Sequence, residues 1–252
     1  DMMGNVNEIY DKIDLFICPN QLTYDILMKW KYAGSYPWEI ELILAPIDTE
    51  RFDYKKKSQC NSFLFINGHG GVPPYFRGIL RDNKGPLNKG LDIVIEAARK
   101  IPDIPIYLRS HVRDFPYQLP QNIELLPEIS ENHQLFGIGD VAIQPSLFEG
   151  TCLQFLETLS TGMPLITTDS PPMNEFELIA SVAAVRKYGR MGNNFIPVNI
   201  AKADDLAMAM ERLYKKDITT YSLAARNYIL KNHHWSIAAH LYHKAMGIKL
   251  RE

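Results

Sequence analysis

Long apolar runs are missing from this 252-residue chain. None approaches the roughly 20 residues that a membrane-spanning helix requires. Cysteine is scarce. Cys18, Cys60 and Cys152 are odd in number and far apart, with no CxxC pair. That excludes a disulfide framework and points to a reducing, cytoplasmic setting, membrane-peripheral at most in a parent protein. An excess of one charge is missing too. The 27 Lys+Arg nearly balance the 29 Asp+Glu, for a net −2. No nucleic-acid footprint or polybasic membrane patch is expected. Internal repeats and low-complexity tracts are absent. There is no initiating Met and no signal-like start. The chain opens on Asp1 inside the polar phrase "GNVNEIYDKID", and we expect a fragment of a longer protein.

What is present is alternation. Apolar strand-like runs are "DLFICPN", "EIELILAPID", "NSFLFING", "IPIYLRS", "NIELLPEI", "DVAIQPS", "PLITTDS" and "SVAAV". Helix-length segments separate several of them: one through Tyr24, Leu27 and Trp30, one from near Lys89, one from about Cys152. The end, from about Asp204 to Met246, reads as helical. Strands this apolar predict a parallel, Rossmann-like α/β sheet with helices on both faces. Such sheets bind ligands beyond the carboxyl ends of their strands. Here those are the loops after Asn67, Ser110, Ile129 and Ser146.

The last of these loops leads into "FEGTCLQFLETLSTGMP". At about 100° per residue, Cys152, Phe155, Leu156 and Leu159 share a stripe, Gln154, Thr158 and Thr161 face away, and Glu157 lies at the border. Free N–H groups around Gly150 to Leu153 open the helix, and a helix N-terminus favours anions. Glu149 alone would be a first-turn glutamate worth about 0.3–1 kcal/mol. Glu157 alone would be a solvated edge residue. Together they flank an anion site with two carboxylates that accept hydroxyl protons. A phosphate between two sugars, as in a nucleotide sugar, fits that arrangement.

"DVAIQPSLFEGTCLQFLETLSTGMPLITTD" resembles the signature of family 4 retaining glycosyltransferases of the GT-B fold, with Glu-x7-Glu before a small-x-Gly-x-Pro turn. "NKGLDIVIEAARKI", "NIELLPEISENHQLFGIGD", "PIDTERF" and "HHWSIAAHLYHKAM" are similar to other pieces of that family, in order. The resemblance implies a tail of the N-terminal acceptor-side domain over 1–55. It implies a donor nucleotide-sugar-binding domain over 56–231 and a helix crossing back over 232–252. Glu149 would then meet the transferred sugar, and Glu157 the ribose hydroxyls. Gly150, Thr151, Cys152 and Leu153 would offer N–H groups to the diphosphate. Lys89 matches the lysine that neutralises the leaving diphosphate. The family has an arginine five residues earlier. Here Lys84 holds that spacing, Arg77 and Arg81 lie nearby, and Arg81 is the preferred cation. Gly70, in the glycine loop, and Ile129 would also face the donor. Where the family commonly has glycine, this chain has Cys152. The implied ligand is a UDP- or GDP-sugar with no metal or other cofactor. The implied partners are an acceptor (saccharide, lipid or protein) and a missing N-terminal domain or partner chain.

Other signals are weaker. Gly68-x-Gly70 lacks the third spaced glycine of a dinucleotide loop, so a dehydrogenase is not expected. His69 reads as loop-exposed. His234, His240 and His243 read as a helix surface rather than a metal site. Asp169 follows a strand, and Glu175 is expected to open and cap the next helix. A nucleotide-sugar binding module that needs a partner chain, and a sugar-nucleotide epimerase of the same architecture, stay open beside the transferase. The epimerase would need an acid/base pair, and only Glu149 is evident.

Overall fold

The structure, a computed structural model, describes residues 12–68, 89–111, 113, 118–191 and 194–247. His69, Gly70, Arg77, Arg81 and Lys84 therefore lie outside the described residues.

The chain opens with β1 (Leu15–Cys18), α1 (Gln21–Gly34) and β2 (Glu39–Leu42). β1 and β2 pair in parallel with Leu15 opposite Glu39. Trp38 lies fully buried beside them, stacked on Tyr36 and edge-on to Phe16. The strand expected over "EIELILAPID" ends early, at Leu42. Pro46 has no N–H for a ladder. The buried turn there is held instead by Ile43 N–H to Cys18 O (3.0 Å) and Ala45 N–H to Pro19 O (3.2 Å).

The main sheet has six strands in the order β5-β4-β3-β6-β7-β8, all parallel. They are β3 (Phe63–Gly68), β4 (Ile106–Ser110), β5 (Ile123–Leu125), β6 (Val141–Gln144), β7 (Leu165–Thr168) and β8 (Ala180–Val182). Around them run α2 (Leu91–Lys100), α3 (Asn132–Leu135), α4 (Leu153–Ser160), α5 (Ala203–Leu213), α6 (Thr219–Asn232) and α7 (Trp235–Ala245). Period 2 sorts β3 onto two faces. Phe63 and Phe65 join Leu91, Val94 and Ile95 of α2 and Met210 of α5 in one core. Leu64 and Ile66 join Phe155, Leu156 and Leu159 of α4 and Ile229 of α6 in the other. Both faces are covered, so the strands read as unbroken apolar runs.

Three expectations change. First, "SVAAV" is not one strand. β8 ends at Val182, and β9 (Ala184–Met191) turns into an antiparallel hairpin with β10 (Asn194–Ala201). The polar, glycine-bearing "RKYGRMGNN" lacks the apolar alternation that marks a strand, and cross-strand hydrogen bonds form it instead. Second, the helical end is three helices. Lys215, at φ +62, and the Asp217 cap on Thr219 N–H (2.7 Å) part α5 from α6. Between α6 and α7, His234 caps Ser236 N–H (3.2 Å). Third, Thr158 and Thr161 do not face away. Both are buried, because Thr158 Oγ1 donates to Gln154 O (2.7 Å) and Thr161 Oγ1 to Thr158 O (2.8 Å). Hydroxyls satisfied on their own helix can pack against a neighbour without a desolvation cost.

Two devices tie the early segment to the rest. Arg226 of α6 donates to the carbonyls of Phe52 (3.1 Å), Ser160 (2.7 Å) and Thr49 (3.2 Å). As the chain turns from α6 toward α7 it returns to residues 45–47. There His233 Nδ1 meets Ala45 O at 2.8 Å and Ile47 bridges His234. Among the described residues no helix is long and apolar enough to cross a membrane.

Candidate functional site

A cavity of about 460 Å³ opens beyond the carboxyl ends of the central strands. One wall holds Lys89, Glu149 and Thr151 to Leu153 at the entry to α4. On the other side of β3, Arg109 near the end of β4 and His111 just after it join Asn132 and Leu135 of α3. Gln154 and Glu157 of α4 and Ile66 and Gly68 of β3 complete the lining.

β6 delivers its end into a tight turn, with Ser146 N–H on Gln144 O at 2.8 Å. Ser146 Oγ then donates to Glu149 Oε1 at 2.7 Å, and Lys89 Nζ donates to the same oxygen at 2.5 Å. The ion pair is mostly buried, with 19% of the Lys89 side chain and 10% of the Glu149 side chain exposed. Lys89 reaches it because Gly90, at φ +80, turns the chain into α2 directly against Pro145 of that same turn. Sequence reasoning placed Lys89 and Glu149 on different parts of a ligand. Here they hold each other.

The expected helix starts one residue late. Cys152 is not helical but caps α4 at φ +58, a left-handed conformation that glycine adopts without strain. Its side chain is 3% exposed, and burial, reinforced by Glu149, pushes its thiol well above the ordinary range. Cys152 is thus a neutral packing group, not a nucleophile. Among the described residues, the N–H groups of Gly150, Thr151, Cys152 and Leu153 meet no acceptor. Glu157 stands about one turn into α4, on the cavity lining. Burial raises its pKa, with the charge of Arg51 acting the other way, so it keeps a proton to higher pH than a free carboxyl. Ile129 packs on the core with Phe136 and Leu126 and is not in the lining.

Several contributors escaped the sequence. Gln144 and Gln154 both donate to Ile66 O at 3.1 Å and so fix the end of β3 beneath the cavity. Arg109 carried one signal, a charge near the end of the buried strand "IPIYLRS", which His111 follows. Glu175 corrects an expectation. It opens no α-helix, only the 3-10 turn Met173–Glu175, and it caps α1 instead. Its oxygens accept from Gln21 N–H (2.9 Å) and Leu22 N–H (3.0 Å). Asn174 of that turn donates to Asp169 at 2.9 Å. His240 is exposed. Among the described residues no group of three or more His, Cys, Asp or Glu is placed to hold a metal.

Asn20 is the other omission. Buried to 4% exposure, it caps α1 through Thr23 N–H (2.9 Å) and donates its Nδ2 to Gly150 O at 2.7 Å. In a trans peptide C=O and N–H point opposite ways. Holding Gly150 O toward Asn20 therefore turns Thr151 N–H away from it. Serine also caps helices but is too short to reach Gly150. Asn20→Ser is expected to cost about 1 kcal/mol, for the bond to Gly150 alone. Asn20→Ala is expected to cost about 1 kcal/mol more, for the cap. Thermal unfolding of both variants checks this. Equal losses would show that the Gly150 bond contributes nothing.

Residues 116–227 match the family model for glycosyl transferases group 1. No curated protein matches. A glycosyltransferase structure from Rickettsia africae ESF-5 superposes with TM-score 0.62 at 14% identity, over 96% of this chain and 67% of that one. HepE of Anabaena in complex with UDP and glucose gives 0.62 at 12%, over 96% and 65%. Sucrose-phosphate synthase from Thermosynechococcus elongatus gives 0.65 at 15%, over 95% and 60%. The fold is that of GT-B glycosyltransferases. This chain spans about two thirds of the length of these structures, or less. At such identities the likeness is one of fold. The group 1 match, which includes Glu149 through Glu157, supports a glycosyltransferase domain.

Proposed function

We propose that this chain is the donor-binding half of a retaining, family 4-like glycosyltransferase that moves a sugar from a nucleotide-sugar donor to an acceptor. The observation that carries the reading is the cavity wall at the start of α4. A buried Lys89–Glu149 pair, Glu157 and Thr151 to Leu153, whose N–H groups meet no acceptor among the described residues, all line one space. The GT-B fold and the UDP and glucose held by HepE support it.

In this reading the nucleoside diphosphate lies along the α4 entry. Glu157 accepts ribose hydroxyls and Glu149 accepts those of the sugar. Transfer breaks the bond between the anomeric carbon and the β-phosphate oxygen, and negative charge grows on the departing diphosphate. Lys89 and the N–H groups of Gly150 to Leu153 sit where that charge develops, so they stabilise the transition state more than the ground state. The acceptor hydroxyl attacks from the same face, and its proton passes to the departing phosphate oxygen. Holding acceptor and donor together can supply about 7–11 kcal/mol of the barrier. In this reading an N-terminal acceptor-side domain or a partner chain provides that hold, and these 252 residues by themselves are expected to transfer no sugar. Lys89 and the helix entry stand in for a metal.

The test is a thermal-shift and calorimetry panel of UDP, GDP and ADP with EDTA present. One of them is expected to bind and raise the melting temperature by several degrees, since a ligand at 100 times its Kd adds about 2.7 kcal/mol. Glu157→Ala is expected to weaken that binding. No binding by any of the three defeats the proposal. Binding only after Mg²⁺ is added defeats its metal-free part.

A further inference from the structure

We infer that Arg109 is a second anion-binding group of this cavity and takes the donor's diphosphate from the β4 side. The inference rests on the nucleotide-sugar reading above for the identity of its ligand, but on its own observations for its location.

Arg109 stands near the carboxyl end of β4, lines the cavity and is only 4% exposed. A guanidinium does not lose its proton in a protein, so this is a permanent buried positive charge. Its Nη1 donates to Ser110 O at 2.8 Å, and its Nη2 faces His111 Nδ1 at 3.4 Å. Ser110 O is a neutral acceptor and an imidazole carries no negative charge, so neither contact balances the guanidinium. Among the described residues no carboxylate lies within ion-pairing distance of it. Lys89 differs, because Glu149 already neutralises it at 2.5 Å. Arg109 is thus, among the described residues, a cavity-lining cation without a carboxylate partner.

A buried charge with no opposite charge is unfavourable, and it opens onto a space that can admit one. The compensating ligand must be an anion, which excludes the neutral sugar and base as the main partner. It must also suit a planar fork whose remaining N–H groups meet no acceptor among the described residues. Phosphate oxygens meet that geometry in a bidentate manner. The diphosphate would lie between Arg109 and the free N–H groups at the start of α4. Lys89 would join it when the sugar draws Glu149 away.

The test is titration calorimetry on the full chain with UDP, GDP, uridine, guanosine and inorganic pyrophosphate, using wild type, Arg109→Gln and Arg109→Lys. Arg109→Gln is expected to lose about 10- to 100-fold in affinity for the nucleoside diphosphate that wild type binds, the range for a charge-assisted bond. Its affinity for the matching nucleoside is expected to stay within about twofold. Arg109→Lys keeps the charge but not the fork and should fall between. It also keeps the test open if the Gln variant does not fold. Unchanged diphosphate affinity in the folded variants overturns the inference, as does an equal loss of nucleoside and diphosphate. Should wild type bind pyrophosphate but no nucleoside diphosphate, the nucleotide reading fails. Loss of pyrophosphate binding in Arg109→Gln would then still support the anion site. If wild type binds neither, both fail.

Discussion

Glu149→Gln is expected to lower sugar transfer by the complete enzyme at least about 100-fold and, in the same protein, to tighten binding of a bare nucleoside diphosphate by about threefold to tenfold. The opposite signs follow from the ion pair. Glu149 holds Lys89 at 2.5 Å, in a site where both side chains are largely out of water. A bare diphosphate gains Lys89 only by drawing it from Glu149, and it also meets the negative charge of that carboxylate. Glutamine keeps the shape and the bond from Ser146 Oγ but removes the charge, so Lys89 is released to the diphosphate. In the proposed reading, transfer suffers because the carboxylate that would accept the sugar's hydroxyls is gone, and a neutral amide is a weaker acceptor. Calorimetry with the diphosphate and turnover with the donor separate the two effects. If diphosphate affinity falls along with turnover, the ion pair does not restrain Lys89.

Gly90→Ala is expected to be the most damaging single methyl in the described site. A Cβ built there would sit 2.2 Å from Pro145 O, which is backbone and cannot swing aside, and the residue's φ is +80. The left-handed backbone alone costs a non-glycine residue roughly 1–2 kcal/mol, and forced overpacking adds about 1–3 kcal/mol. At about 2–4 °C per kcal/mol, the melting temperature should fall by roughly 10 °C. Relief by movement would carry Lys89 away from Glu149, so diphosphate binding should weaken as well. Gly150→Ala is the control, since nothing lies within 4 Å of its added Cβ. A Gly90→Ala protein that melts like wild type would mean that the α2 entry and the β6 turn do not depend on this close approach.

The parallel sheet was legible because each strand is buried on both sides. "FLFING", "VAIQ" and "LITT" have no polar face to hide, and such runs have few other uses. The hairpin of β9 and β10 was not legible. Its pairing is a matter of backbone hydrogen bonds between Ala184–Met191 and Asn194–Ala201, and the side chains carry little periodic signal. The break between α5 and α6 was hidden for a similar reason. Lys215 takes a left-handed turn that its identity does not announce.

At the site, the Glu149–Glu157 spacing and the helix entry between them were visible, since period 3.6 and free N–H groups are local properties. The sequence by itself thus determined the alternating α/β order, the apolar strands and the carboxylate pair around a helix start. Only the tertiary structure decided that Lys89 pairs with Glu149, 60 residues away. Only it placed Arg109 in the same cavity, drew Asn20 onto Gly150 and sent Glu175 to cap α1. Each of these depends on where distant segments are brought by packing two cores on one sheet. Short-range propensity does not encode that, because a charged or amide side chain is chemically the same wherever the fold carries it.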